Sequence, residues 1–317
     1  MELKNNLKLI GFPLFVHLVL TYKCNSNCIM CPYTQNNLRE TKIKEIGSFM
    51  NPCVFYRIVK ECSENNSFIR ITGGESLLHP GFKELMRYIK DKKVASGIIT
   101  NGSLLSRAKA KPLLEANSAI EISVDGADKD TYERIRKGLY WESLIENITN
   151  LKKYRAELNS RSPIIVSVVN QKGVDIESVK EFWEKMVDYV IIRKFLTWGV
   201  ISDELSADTL PLLEDETSGG CPYLFERITI DLDGTFRLCN YDILGKVSLG
   251  NIQEKSIKEV WNGDLLQKWR KDITENNWDS IPLCRDCRDR IYRSWNYDYK
   301  KVLKDAKEKA IAGSGNA

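Results

Sequence analysis

The sequence predicts an α/β fold: an open, partial barrel of six strand–helix units, followed by a small second unit. Short β-rich runs alternate with amphipathic helical stretches over the first two thirds of the chain, and this alternation occurs six times. A polar segment and a hairpin pattern then replace it. Repeated strand–helix alternation is typical of a parallel sheet with right-handed crossovers. Six units are fewer than a closed barrel requires.

The predicted strands are rich in β-branched and aromatic residues. They cover residues 15–22, 68–72, 95–100, 119–124, 164–169 and 189–194. Apolar residues at helical spacing predict helices between them, including 50–65, 80–93 and 141–158. Ligands of such sheets bind at the carboxyl ends of the strands, so we expect a site there.

The second unit follows a polar, acidic stretch that ends in Gly-Gly. Residues 226–240 predict a hairpin that turns at Asp233 and Gly234, and residues 256–273 predict a helix. We therefore predict a barrel over 1–201, a linker over 202–220, a second domain over 221–290, and a terminal helix with a disordered tail over 291–317.

Composition excludes several classes of protein. The 317 residues carry a formal net charge of +4, and no basic stripe suggests nucleic acid as a partner. No apolar run approaches the roughly 18 residues of a membrane span, and the N-terminus lacks the cleavage site of a signal peptide. Nine cysteines without an export signal favour metal or redox chemistry in the cytoplasm over a disulfide framework.

Three cysteines follow the first predicted strand, Cys24, Cys28 and Cys31, with the spacing C-x3-C-x2-C. Thiolates are the usual ligands of iron–sulfur clusters, and three of them leave one iron of a four-iron cluster open to a non-protein ligand. A zinc site completed elsewhere is the alternative. Structural zinc prefers four protein ligands, and the chain has only two histidines, so we favour the open iron–sulfur site.

This motif, placed after the first strand of a partial barrel, resembles the signature of the radical S-adenosylmethionine (SAM) enzymes over roughly residues 12–200. The resemblance implies that the amino and carboxylate groups of SAM occupy the open iron. It also implies that an electron from the cluster cleaves SAM to a 5′-deoxyadenosyl radical, which abstracts a hydrogen atom from the substrate. An external electron donor such as flavodoxin or ferredoxin is then expected.

The predicted second strand ends in Gly73, Gly74 and Glu75, which match the GGE motif of that family. The resemblance implies a contact with the SAM amino group. The alternative is a glycine turn with a solvated acid. The resemblance implies further positions in the SAM pocket. Met30 and Tyr33 are expected near adenine, and Asn101 is expected to contact the pocket. Ser123 is expected near the ribose or carboxylate, and Arg136 near the carboxylate.

Four more cysteines lie in the last third of the chain, Cys221, Cys239, Cys284 and Cys287. Four thiolates close a complete site, for zinc or for an iron–sulfur cluster. Their spacing around Gly234, together with LGNIQEKSIKEVW, resembles the SPASM extension of radical SAM enzymes. Arg293 stands where a further cysteine is due. The resemblance therefore implies the shorter twitch version, with one fully ligated auxiliary four-iron cluster suited to electron transfer.

Two charged residues, Arg193 and Lys194, end the sixth predicted strand. One of them is expected to face the substrate, where it binds an anionic group or acts as a base; ordinary strand-end charges are the alternative. Trp198 is a candidate for the pocket wall. Cys53 and Cys62 lie in the first predicted helix and are expected to be small buried hydrophobes rather than catalytic thiols.

The leading functional prediction is hydrogen abstraction from a small polar substrate, such as a sugar or aminocyclitol, followed by net oxidation with the auxiliary cluster as electron acceptor. Epimerisation of a sugar or aminoglycoside and modification of a ribosomal peptide are the alternatives within enzymes. A zinc-binding scaffold is the alternative outside them.

Overall fold

A nine-stranded sheet forms the centre of the molecule, and its first six strands are parallel. The computed structural model describes residues 11–201, 203–206, 221, 223–287, 301, 302, 304, 305 and 308. The parallel strands are β1 (Phe15–Thr21), β2 (Phe68–Gly73), β3 (Ser96–Thr100), β4 (Ala119–Ser123), β5 (Ile164–Asn170) and β6 (Tyr189–Lys194). Each pairs with the strand before it in the chain, which confirms the predicted partial barrel of six strands.

Helices connect these strands. They are α1 (Leu38–Ile46), α2 (Pro52–Glu64), α3 (Phe82–Asp91), α4 (Arg107–Glu115), α5 (Lys129–Ile135), α6 (Trp141–Glu157) and α7 (Ile176–Trp183). In α3, residues at helical spacing, Phe82, Leu85, Met86 and Ile89, are buried in the main core. The charged residues between them face solvent, so the helix covers one face of the sheet.

Successive side chains of a strand point to opposite faces of the sheet, and those on the face away from the helices form layers inside the barrel. Where the strands begin, residues of this face form an apolar floor that also contains Val302: Phe15, Phe68, Ala119, Ile165 and Ile191. One step further along the strands, Arg70, Glu121 and Arg193 form ion pairs. The predicted terminal helix and tail otherwise lie almost entirely outside the described residues. The predicted site therefore has an apolar floor and a charged layer beneath it.

The second unit extends the same sheet. Its strand β7 (Arg227–Ile230) pairs in parallel with β1, and β8 (Thr235–Arg237) and β9 (Ser248–Asn251) follow in antiparallel order. The predicted hairpin is confirmed, with Gly234 at φ +90° in its turn. The sequence predicts a second domain here, whereas in the structure the barrel sheet continues into this hairpin. Hydrogen bonding to β1, which local periodicity cannot reveal, accounts for the difference.

Four helices complete the described second unit: α8 (Tyr223–Glu226), α9 (Ile257–Trp261), α10 (Asp264–Thr274) and α11 (Pro282–Arg285). The helix predicted over 256–273 is two helices, separated at Asn262 and Gly263. Gly263 takes extended backbone before α10, which ends the first helix and begins the second. Of the predicted linker, only residues 203–206 are described. No helix in the described part of the chain is long and apolar enough to cross a membrane.

Candidate active site

The first three cysteines lie on one tight loop after β1. Ser26 Oγ is 3.2 Å from Cys24 Sγ and 3.5 Å from Cys28 Sγ. The amide of Cys31 donates to the Cys28 carbonyl at 3.2 Å. The structure therefore brings together the three residues that the spacing predicted.

Neighbouring segments hold this loop in place. The amides of Asn27 and Ile29 donate to carbonyls in residues 135–137, at 2.9 and 3.1 Å. From α1, the Arg39 guanidinium donates to Asn27 Oδ1 at 3.0 Å and to the Ser26 carbonyl at 2.9 Å. Arg39 could not be predicted from sequence, because nothing in its local pattern indicates which loop its side chain contacts.

Gly73 and Gly74 lie where the end of β2 touches the start of the cysteine loop. The amide of Gly74 donates to the Thr21 carbonyl at 2.7 Å, and that of Glu75 donates to the Lys23 carbonyl at 2.8 Å. A Cβ at Gly73 would lie 2.3 Å from Thr21 O, and one at Gly74 would lie 2.2 Å from Lys23 O. Both positions therefore require glycine to let the two backbones approach.

The Glu75 carboxylate is fully buried, so the alternative of a solvated acid is wrong. Oε1 accepts from the Leu77 amide at 3.1 Å and from Thr100 Oγ1 at 2.9 Å, and Oε2 accepts from the Asn101 amide at 2.8 Å. Burial raises the pKa of Glu75, while these hydrogen bonds oppose that rise. The carboxylate thus ties the end of β2 to the end of β3. Its contact with SAM stays a prediction.

Asn101 and Ser123 lie at the ends of β3 and β4. Asn101 Nδ2 donates to Asn25 Oδ1 in the cysteine loop at 2.9 Å, and its Oδ1 accepts from Ser103. Ser123 is half-buried and in register with Ser167 of β5. Both predicted positions therefore lie at the strand ends, and Asn101 contacts the loop directly.

Arg136 follows α5 and lies beside the cysteine loop. Its Nε and Nη2 donate to Asp125 Oδ2 at 2.7 and 2.6 Å, and Nη1 lies 3.8 Å from Cys28 Sγ. Asp125 Oδ1 accepts from the Val169 amide at 2.7 Å. The predicted pairing of Arg136 with the SAM carboxylate stays a prediction, and its present partner is Asp125.

The donor set around the cysteine loop fits a cluster held by thiolates. Burial raises the pKa of Cys24 and that of Cys31, the latter to about 11. Iron must therefore displace the thiol protons on binding. The Ser26 hydroxyl and the Arg136 guanidinium lie within reach of the sulfurs and can stabilise the resulting negative charge.

Met30 and Tyr33, the predicted adenine neighbours, have different surroundings. Met30 is buried in a small apolar cluster with Phe195. Tyr33 packs edge-on against Tyr22, with ring centroids 5.2 Å apart, and its hydroxyl lies near the charges of Arg237 and Asp231 in the second unit. The Tyr33 hydroxyl is therefore directed toward the second unit.

Arg193 belongs to the charged layer beneath the strand ends. Its guanidinium donates to Glu121 Oε1, with Nε at 3.1 Å, while Arg70 donates to Oε2 at 2.8 Å. Burial alone would raise the pKa of Glu121, but Arg193 and Arg70 lower it to about 2. A guanidinium can only donate, so Arg193 is suited to binding an anion and not to acting as a base. Lys194 follows it on the strand and so points to the opposite face.

The last four cysteines line one small cavity. The other lining residues are Tyr223, Leu224, Tyr241, Trp278 and Leu283. No group of three or more His, Cys, Asp or Glu side chains among the described residues is arranged to hold a single metal ion. Four sulfur donors in an apolar, aromatic wall fit a buried four-iron cluster.

The barrel reaches this cavity through Trp198, just beyond β6. Its ring stacks on Tyr241 with centroids 5.8 Å apart and an interplanar angle of 18°. Thr197 Oγ1 lies 3.1 Å from the Tyr241 hydroxyl. The predicted pocket-wall residue therefore contacts the lining of the second cavity.

The two remaining cysteines differ from each other. Cys62 is fully buried in the main core, as expected of a small hydrophobe. Cys53 is exposed in the first turn of α2, contrary to the expectation.

Comparisons with known proteins agree with this geometry. Residues 18–186 match the family model described as the radical SAM superfamily, and residues 221–288 match that of an iron–sulfur cluster-binding domain, SPASM. The first match covers more than half of the chain. Together the two models imply SAM and two 4Fe–4S clusters as cofactors.

Individual relatives extend the comparison. The chain is 25% identical to the tungsten-containing aldehyde ferredoxin oxidoreductase cofactor-modifying protein of Pyrococcus furiosus, covering 86% of each chain. It is 24% identical to a cysteine-type anaerobic sulfatase-maturating enzyme of Clostridium novyi, covering 84% of this chain and 85% of that one. The fold resembles SuiB of Streptococcus suis bound to the precursor peptide SuiA, with a TM-score of 0.65 and 18% identity, over 85% of this chain and 69% of that one.

Proposed function

The chain belongs to the radical SAM superfamily, and from this premise we propose that it catalyses a net oxidation at a hydroxyl- or thiol-bearing carbon of a polypeptide substrate. The observation that carries the proposal is the cavity lined by Cys221, Cys239, Cys284 and Cys287. A cluster with four cysteine ligands has no open iron for a substrate, so electron transfer is the role that suits it. The stack of Trp198 on Tyr241 supports a connection between that cavity and the barrel.

When bound, the first cluster and SAM supply a 5′-deoxyadenosyl radical that takes a hydrogen atom from the substrate, and the second cluster supplies an acceptor for one electron. The substrate carbon thus loses a hydrogen atom and an electron, and its hydroxyl or thiol group loses a proton. In this proposal Cys24, Cys28 and Cys31 hold the first cluster.

The chain's own residues position SAM and the substrate. We assign SAM binding to the strand ends, through Met30, Tyr33, Gly73, Gly74, Glu75, Asn101, Ser123 and Arg136. Arg193, held by Glu121, binds an anionic or carbonyl group of the substrate. The proton is released to solvent, because Arg193 can only donate and the predicted base Lys194 leaves the strand on the opposite face.

The choice of a polypeptide rests on the relatives. The two relatives described above, which each cover about 85% of the chain, are named for modifying another protein or its cofactor, whereas relatives that cover 55–70% of it are named GTP 3′,8-cyclases. The small polar substrate predicted from the sequence is the second candidate. The charged layer of Arg70, Glu121 and Arg193 inside the barrel favours it, because such a layer recognises compact polar groups. With either substrate, we propose a cytoplasmic enzyme that takes its electrons from a flavodoxin or ferredoxin.

The test uses anaerobically reconstituted protein with SAM and a reductant. Serine- and cysteine-containing peptides, sugars and aminocyclitols are screened for release of 5′-deoxyadenosine, and the products are weighed by mass spectrometry. We expect a product lighter by two hydrogen atoms, one SAM consumed per product, and no deuterium uptake from heavy water. If the product keeps the substrate's mass in light water and takes up one deuterium at carbon in heavy water, the reaction is an epimerisation and the oxidation is refuted.

A variant of one cysteine in the second site distinguishes the roles of the two clusters. Cys284→Ala should still permit SAM cleavage at the first cluster but should lose formation of the oxidised product. Full product formation by this variant, with its second cluster shown to be missing by iron analysis, would contradict the role assigned to that cluster.

A further inference from the structure

A buried polar link joins the segment of the first cysteine motif to the second unit. It consists of Tyr22, Tyr33, Asp231 and Arg237. Tyr22 and Tyr33 flank the first cysteine motif, each two residues from a predicted ligand, and Arg237 stands two residues before Cys239. Arg237 is only 2% exposed. The link therefore joins segments that carry ligands of both clusters.

Its contacts form a continuous chain. The Tyr22 hydroxyl donates to Asp231 Oδ1 at 2.6 Å, and Arg237 Nε lies 3.4 Å from Asp231 Oδ2. Tyr33 packs edge-on against Tyr22, and Arg237 Nη1 donates to the Asp242 carbonyl at 2.9 Å. The Asp242 amide in turn donates to the Cys239 carbonyl at 3.2 Å. Two side-chain contacts, Tyr22 to Asp231 and Asp231 to Arg237, thus connect the two ligand-bearing segments.

Stability alone gives a weak reason for this link. Taking a guanidinium and a carboxylate out of water is costly, and well-packed apolar side chains of similar volume often serve as well. Both cluster sites flank the link, and the reduction potential of an iron–sulfur cluster depends on nearby charge and hydrogen bonds. A buried charge acts on its surroundings with little screening.

We propose that Arg237 and Asp231 are positioning residues that couple the two cluster sites electrostatically, so that a change of charge at the link shifts the reduction potentials of both clusters. The proposal does not depend on which substrate the enzyme oxidises. It requires only that each site holds its cluster.

The test is an anaerobic redox titration of the reconstituted holoenzyme, without SAM or substrate, followed by electron paramagnetic resonance. Arg237→Gln removes a positive charge and should make both clusters harder to reduce. We expect a change of about tenfold in each reduction equilibrium, or about 59 mV for a one-electron couple. Asp231→Asn should shift both potentials in the opposite direction, and Arg237→Lys should restore most of the wild-type values.

The matched control is Arg270→Gln. Arg270 is equally buried in the second unit, but it donates to the carbonyls of Leu224 and Trp261. This variant should leave the potential of the SAM-binding cluster unchanged. A purely structural role would not produce opposite shifts from Arg237→Gln and Asp231→Asn.

The proposal is wrong if Arg237→Gln alters neither potential, or alters only that of the auxiliary cluster. If Arg237→Gln fails to retain both clusters, Asp231→Asn decides the matter. A positive shift at both clusters in that variant supports the link, and unchanged potentials overturn it.

Discussion

Replacing Glu75 tests whether the GGE segment is a structural tie as well as a SAM contact. Its carboxylate accepts three hydrogen bonds, from Leu77, Thr100 and Asn101, with no exposure to solvent. Glu75→Ala leaves these donors buried without a partner. Each such loss costs about 1–3 kcal/mol, and the losses are not fully additive, so we expect local destabilisation of about 4 kcal/mol.

Native-state hydrogen exchange measures this loss of local stability directly. Because 1.4 kcal/mol corresponds to a factor of ten, peptides containing the amides of Leu77 and Asn101 should exchange up to about a thousandfold faster in Glu75→Ala. Glu75→Gln keeps one acceptor oxygen and should have a smaller effect. The control is Glu84→Ala on the exposed side of α3, which should exchange as wild type does. Iron content confirms that both clusters remain.

The same variants are then tested for SAM binding. Affinity should fall in Glu75→Ala, because Gly74 and Asn101 lose their fixed positions beside the cysteine loop. Exchange within about threefold of wild type at both amides would refute the hydrogen-bond reasoning. Faster exchange with unchanged SAM affinity would show that the tie is structural only and that the predicted SAM contact is wrong.

Three further predictions concern metal, packing and pH. Wild-type protein should hold about eight irons per chain, and alanine at the three cysteines of the first motif should leave about four, as measured by iron and sulfide analysis; zinc in the remaining site would contradict the assignment. Gly74→Ala should lose SAM binding and thermal stability, because its Cβ would lie 2.2 Å from a carbonyl oxygen, whereas Gly11→Ala, with nothing within 4 Å, should not. Because Glu121 has a pKa near 2 when folded and 4.5 otherwise, it contributes stability above pH 4.5 that is lost as pH falls toward 2. The loss should be about 3 kcal/mol at 1.36 kcal/mol per pKa unit. Acid unfolding of Glu121→Gln should lack that part of the pH dependence, and an unchanged profile would argue against the ion-paired layer.

The strands and the two cysteine motifs could be recognised from sequence because their signals are local. All six parallel strands begin and end within about two residues of the predicted limits, since β-branched runs bounded by turns depend on neighbouring residues only. The cysteines could be predicted because ligand spacing follows from the size and chemistry of the cluster. The two glycines before Glu75 belong to the same class, as close backbone approach admits no side chain.

The partners of buried charges emerged only from the tertiary structure. Glu75 was predicted as a SAM contact or a solvated acid, and two of its three donors, Thr100 and Asn101, come from the distant end of β3. Arg193 was predicted to face the substrate, and its partner Glu121 lies 72 residues away in the chain. No periodic pattern in the sequence connects Glu75 with Asn101, or Arg193 with Glu121.

The link between the cluster sites depends on the tertiary structure more than any other feature of the site. Tyr22 and Asp231 are 209 residues apart, and they meet because β7 pairs with β1 and continues the barrel sheet. Local propensity predicts that a hairpin forms at residues 226–240, but it carries no information about which edge the hairpin joins. That choice is made by hydrogen bonds and burial between distant strands, so it exists only in the folded chain.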